Sequence, residues 1–182
     1  MGADFVVGLF ERIARGKPLY RQLLTPVAPL FFFGLLGAMV YGALQVDRCL
    51  GLPGIFPEPW NLRLARPFFL VGLTLMVWSA SCFFRAHGTP VPFNPPQQLV
   101  TTGPYAWSRN PMMTGLFSVL LGGGIRLSSV SLVFVFLPLF IILIRLQLRK
   151  VEEPGLEKRF GSAYLAYKHG TPRFIPRIGG KV

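Results

Sequence analysis

Charge is what this chain has least of. Only 14% of its 182 residues are Asp, Glu, Lys or Arg, against about 25% in a typical soluble domain. The same sequence is 52% hydrophobic, with a mean hydropathy of +0.50. That balance excludes an ordinary water-soluble fold and calls for lipid around the chain. Cysteine is scarce too, with Cys49 and Cys82 the only two. In the topology below they fall at opposite ends of two membrane crossings, so they are not expected to bridge, and they lack metal-ligand spacing. No phosphate-cradling loop, HExxH helix, Ser/His/Asp order or paired-cysteine motif is present. The chemistries that those motifs carry drop out with them. Internal repeats and low-complexity tracts are also missing.

What is there is apolar sequence in long pieces. Four runs carry no Asp, Glu, Lys or Arg: Gln22–Val46, Pro67–Phe84, Asn110–Ile125 and Leu127–Ile144. A spanning helix needs about 20 residues. The first, second and fourth runs meet that length. The third is shorter and joins the fourth through "GGGIRLSS", which predicts a helical hairpin with a tight, glycine-rich tip. An open sheet is excluded, because unpaired backbone groups in hydrocarbon each cost several kcal/mol. The expected fold is all-α and polytopic, with about four transmembrane helices. Residues 1–84 would form an interfacial helix and a first hairpin, and residues 85–182 the functional core.

The basic residues orient the spans. In a four-span arrangement Arg48, Arg63, Arg66 and Arg126 lie on one side, and the rest of the nineteen Lys and Arg on the other. Both termini should then be cytoplasmic. The net charge of +12 becomes a collar facing anionic headgroups. Nucleic acid is not expected as a partner, because these charges flank spans rather than forming a compact patch. The first twenty residues lack the apolar core and cleavage site of a secretory signal. Phe5, Val6, Leu9 and Ile13 fall on one helical face there, which suits an interfacial helix.

The polar groups of the second half stand out against this background. Six prolines between His87 and Pro111 prevent helix and favour extended or turn backbone. Gly103-Pro104 is a turn signal. Asn110-Pro111 reads as a helix start, with Asn as N-cap and Pro at the first helical position. Arg109 stands just before it, so free N–H groups, the helix dipole and a guanidinium would converge on an anion. Tyr105 and Trp107 add flat apolar surfaces. The other reading of this loop is an interfacial anchor on headgroups. Glu152 and Glu153 stand side by side where a helix C-terminus disfavours anions. They either pair with Arg149 and Lys150 in solvent or face a cationic or diol-bearing ligand. The fourth helix is expected to stop at Pro154. An amphipathic helix carrying Leu156, Phe160, Tyr164 and Tyr167 follows. His87 is an interfacial side chain or a proton acceptor. Together, a carboxylate site, aromatic walls and a free carboxylate fit S-adenosylmethionine.

"HGTPVPFNPPQQLVTTGPYAWSRNPMMTG" resembles the core of the isoprenylcysteine carboxyl methyltransferase and phospholipid methyltransferase superfamily. "EEPGLEKRFGSAYLAYKHGTPRFIPR" resembles its C-terminal block. The resemblance implies an integral membrane methyltransferase that uses S-adenosylmethionine on the cytoplasmic side. Its acceptor would be lipophilic, and membrane lipids would surround it. The implied cofactor residues are Leu99, Val100, Thr101, Gly103, Tyr105, Arg109, Asn110, Pro111, Glu152 and Glu153. Of these, Arg109 and the two glutamates are also the expected catalytic groups. His87, Tyr164, Tyr167 and Arg173 would be lid or substrate residues, and no metal is expected. Ala106 and Met113 stand where the family often has a basic residue and Tyr. Two other functions compete: a nicotinamide-dependent membrane reductase of the steroid-reductase type, and a non-catalytic lipid-binding subunit.

Overall fold

The structure is a computed structural model that describes residues 18–86, 88 and 98–174. The expected interfacial helix at the N-terminus and His87 lie outside those residues. Every described element is helical. Helix α1 covers Pro18–Leu50 and α2 covers Trp60–Arg85. A single 3-10 turn, Gly103–Ala106, precedes α3 at Pro111–Arg126. Helix α4 runs over Leu132–Phe160 and α5 over Ser162–Gly170. Helices α1, α2 and α4 are long and apolar enough to cross a membrane. The expected fourth span, α3, has 16 residues, or roughly 24 Å of helix, short of the roughly 30 Å hydrocarbon core.

Helix α3 is short because it sits inside the bundle rather than against lipid. One face meets α2 at backbone distance: a Cβ on Gly72 would come 2.6 Å from the Gly115 carbonyl oxygen. The Ser118 hydroxyl donates to the Phe68 carbonyl at 2.9 Å along the same seam. Small residues and a side-chain-to-backbone bond are how helices associate where lipid cancels the hydrophobic drive. The opposite face carries Leu116 and Leu120, which pack with Leu36 of α1 and with Leu137 and Phe140 of α4. The outer faces of the long helices are apolar and open, as at Phe31 (74% exposed) and Val77 (69%). Such a continuous apolar surface belongs against acyl chains.

The far end is tied by polar bonds. Asp47 of α1 accepts hydrogen bonds from the Ser129 hydroxyl and from the Ser131 N–H at 2.9 Å. It thus caps the N-terminus of α4 from another helix. Asn61 of α2 donates to the Arg126 carbonyl at 3.1 Å. The turn between α3 and α4 is Leu127–Ser129, not the glycines expected to form it. Gly122 and Gly124 lie within α3, where they leave room for the Ala65 carbonyl and the Val133 side chain. Ser128 takes the turn's positive φ of 52° and donates to the Phe56 carbonyl at 2.6 Å.

Helix α4 does not stop at Pro154, and the reason is a change of helical pitch. Leu132–Phe136 and Leu148–Glu152 are π turns. Each ends two residues before a proline, Pro138 and Pro154. Proline offers no N–H to the carbonyl four residues back, and its ring crowds that carbonyl. A wider i→i+5 turn just upstream relieves both problems while the helix continues. The expected single C-terminal helix is instead broken at Gly161, whose φ of +55° suits glycine and strains other residues.

The α2–α3 seam makes a direct prediction. Gly115→Ala should lower the thermal midpoint in detergent, by about 1–3 kcal/mol of stability. Gly37→Ala, where an added methyl meets nothing within 4 Å, should leave it unchanged or raise it. Equal midpoints for the two variants would contradict the close approach.

Candidate active site

The site forms where the proline-rich segment returns to the end of α2. Gly103 adopts φ +62°, and a Cβ there would lie 3.3 Å from the Cys82 sulfur and from the Trp78 ring nitrogen. This lets the 3-10 turn lie flat on α2. Tyr105 is buried against Phe83, edge to face with centroids 5.2 Å apart. Trp107 is half exposed and meets Trp78 in the same way at 5.6 Å. Leu99, Val100 and Thr101 are half-buried on the approach to this turn.

Arg109 then joins three parts of the chain. Its Nε donates to the Thr171 carbonyl at 2.9 Å. One terminal nitrogen donates to Glu153 Oε1 at 2.8 Å and to the Tyr164 hydroxyl at 3.4 Å. The N–H groups of Arg109 and Asn110 donate to the Pro172 and Arg173 carbonyls at 2.8 and 3.1 Å, so the N–H of the N-cap Asn110 is not free for an anion. Pro111 is buried as the first residue of α3, as expected. Asn110 is the N-cap position but makes no side-chain cap bond. Ser108 anchors the segment by donating from its hydroxyl to the Arg173 carbonyl at 2.9 Å.

Glu153 is the centre of this arrangement. It is 4% exposed and pairs with Arg109 at 2.8 Å, Arg173 at 2.8 Å and Lys168 at 3.4 Å. Lys168 also binds Glu157 at 2.6 Å, and that bond leads in raising its ammonium above the usual range. The π turn decides which glutamate points inward. Leu148 is buried, and an α-helical turn would place Glu152 beneath it. The i→i+5 turn, closed by the Glu153 N–H on the Leu148 carbonyl, places Glu153 there instead. Glu152 is left at the exposed rim, with no hydrogen bond or ion pair among the described residues.

Three phenols lie beside the Arg109–Glu153 pair and the 3-10 turn. Burial raises Tyr105 and Tyr167 above the usual tyrosine range. Tyr164 is raised by burial and by the Glu153 charge. All three remain neutral donors. The Tyr167 hydroxyl donates to the Tyr105 carbonyl at 2.7 Å, which fastens α5 over the 3-10 turn. The Tyr164 and Tyr167 rings lie 6.3 Å apart. Of the residues expected from the sequence, Arg109, Glu153, Tyr164 and Arg173 are thus in one bonded cluster, with Tyr105 and Tyr167 joined beside it. Ser108, Lys168 and Thr171 belong to the same cluster and were not expected. The only sequence signal for them was Pro172, whose extended preference frees the neighbouring carbonyls.

The two glutamates should respond oppositely to neutralisation. Glu153→Gln strands three cations and should cost about 3–5 kcal/mol, the effect of breaking a buried pair. Glu152→Gln should leave the thermal midpoint in place. Equal losses in the two variants would contradict the assignment of Glu153 as the buried partner.

Among curated proteins, none matches the chain. A family model does, and its description is phospholipid methyltransferase. The match covers residues 60–163, from the start of α2 to the first turn of α5, and so includes the 3-10 turn, Arg109 and both glutamates. On that match over more than half its length, the chain belongs to the phospholipid methyltransferase family.

Proposed function

We propose that the chain is an integral membrane methyltransferase that uses S-adenosylmethionine and acts on a lipophilic acceptor arriving from the bilayer. The observation that carries this is the contact between Arg109 and Glu153, 44 residues apart. It joins the two polar blocks and leaves Glu152 without a hydrogen bond or ion pair among the described residues. The donor set fits the cofactor. Glu152 suits its amino group or ribose hydroxyls, and Trp107 offers a flat ring face. Arg109 keeps one terminal nitrogen without a partner among the described residues, which suits a carboxylate. Glu153 serves as the positioning group that holds Arg109.

S-adenosylmethionine supplies a methyl group on a positively charged sulfur. The protein's part is alignment of donor and acceptor and removal of a proton. An unpaired carboxylate at Glu152 takes the proton that an amine sheds, and it repels an isoprenylcysteine-type carboxylate. The family description also points to a phospholipid, so a phospholipid amine is the favoured acceptor. Tyr167 holds helix α5 over the 3-10 turn. Arg145, Arg149, Lys150, Lys158 and Arg159 are exposed at this end of the bundle. That basic rim favours placing the site, and both termini, on the cytoplasmic side.

Titration of the detergent-solubilised protein separates this reading from a reductase or an adaptor. S-adenosylhomocysteine should bind and NADPH should not. Labelled methyl from S-adenosylmethionine should enter the aminophospholipids of a total lipid extract, and Glu152→Gln should slow this by about a hundredfold or more, the scale of a lost general base. Binding of NADPH alone, or of neither compound, contradicts the proposal.

A further inference from the structure

Arg149 and Glu152 lie three residues apart on α4. At that spacing an α-helix brings a cation and a carboxylate together on one side. Here neither has an ion-pair partner among the described residues. The π turn Leu148–Glu152 contains both, and its wider i→i+5 pitch turns them apart. Arg145 stands one turn earlier, exposed like Arg149 and equally without an acid partner among the described residues. Like charges four residues apart repel, so an anion between the two guanidiniums would relieve a real cost. Ile142 and Leu146 are exposed on the same stretch of helix. Arg145 is the first charge after the uncharged run Leu127–Ile144, which puts the pair where hydrocarbon gives way to headgroups. Along the axis of α4 three chemistries therefore follow in order: an apolar surface, two guanidiniums and an unpaired carboxylate.

We propose that Arg145 and Arg149 bind the phosphodiester of the acceptor lipid and so select phospholipids over other lipophilic amines. This inference rests on the function proposed above. A phospholipid amine presents acyl chains, phosphate and amine in that order, and α4 presents their complements in the same order. The planar guanidinium fork matches phosphate oxygens, and two forks one turn apart can share one phosphate. The amine, on a short spacer from that phosphate, then falls within a helical turn of Glu152, the group that takes its proton. An amine without phosphate lacks this anchor. Lys158 and Arg159 are exposed too, but they follow Glu152 along the chain. They stand outside this order and belong to the general basic rim.

The test uses the full-length protein in neutral detergent and two lipids that differ in the phosphate: phosphatidylmethanol, an amine-free phosphodiester, and diacylglycerol. The double variant Arg145→Gln, Arg149→Gln should bind phosphatidylmethanol about ten- to a hundredfold more weakly, the worth of a charge-assisted bond. Its diacylglycerol binding should not change. The variant Lys158→Gln, Arg159→Gln removes the same charge and should keep the wild-type affinity for both lipids. Equal losses in the two variants would mean attraction of the whole rim to an anionic surface and overturn the proposal. Unchanged binding in both also overturns it. Should the first double variant fail to fold, Arg149→Gln alone decides by the same comparison. With phosphatidylethanolamine as acceptor, the loss should appear in KM, and a fall in kcat alone contradicts a phosphate-binding role. Lipid binding needs no cofactor. Failure of the wild-type protein to bind S-adenosylhomocysteine would thus count against the methyltransferase reading, while the lipid comparison still decides the phosphate site.

Discussion

One buried carboxylate holds the functional end of this molecule together. Glu153 contacts Arg109 from the loop before α3, Arg173 from the segment after α5, and Lys168 from α5 itself. A charge this deeply buried is tolerated only when paired and hydrogen-bonded, and here the partners come from three separate stretches of chain. The pairing is therefore an organiser first. It draws the C-terminal segment across the start of α3, where the Pro172 and Arg173 carbonyls accept from the Arg109 and Asn110 N–H groups. The N-cap N–H of Asn110 is thus taken by the chain's own backbone.

The division of labour between the glutamates follows from this. Glu153 takes up Arg109, Arg173 and Lys168, and Glu152, without such a partner among the described residues, is the glutamate that the proposed function gives to the ligand. The π turn that separates their directions is a consequence of Pro154, and α4 shows the same solution ahead of Pro138. Family membership and the membrane-length helices supply the frame, and this local geometry supplies the chemistry proposed for it.

Much of this was legible in the sequence because polar groups are so few. With seven acidic residues in the chain, an adjacent pair could not pass as surface decoration. Arg109 ahead of Asn-Pro marked the start of α3 correctly. What escaped was whatever depends on pitch or on bonds between distant carbonyls. Alpha-helical spacing cannot choose between Glu152 and Glu153, and a proline read as a stop lies inside a helix that continues past it after a π turn. "GGG" looked like a turn but lies inside α3, where Gly122 and Gly124 serve close packing, since glycine signals permissive backbone and small size alike.

The central claim is that Glu152 and the turn at Gly103–Ala106 line one cofactor site. Irradiating the protein with labelled S-adenosylmethionine and mapping the modified peptides tests it most directly. The account predicts label in peptides spanning 98–111 and 148–167, suppressed by excess S-adenosylhomocysteine. Label confined to α1 or to the α3–α4 turn would contradict it.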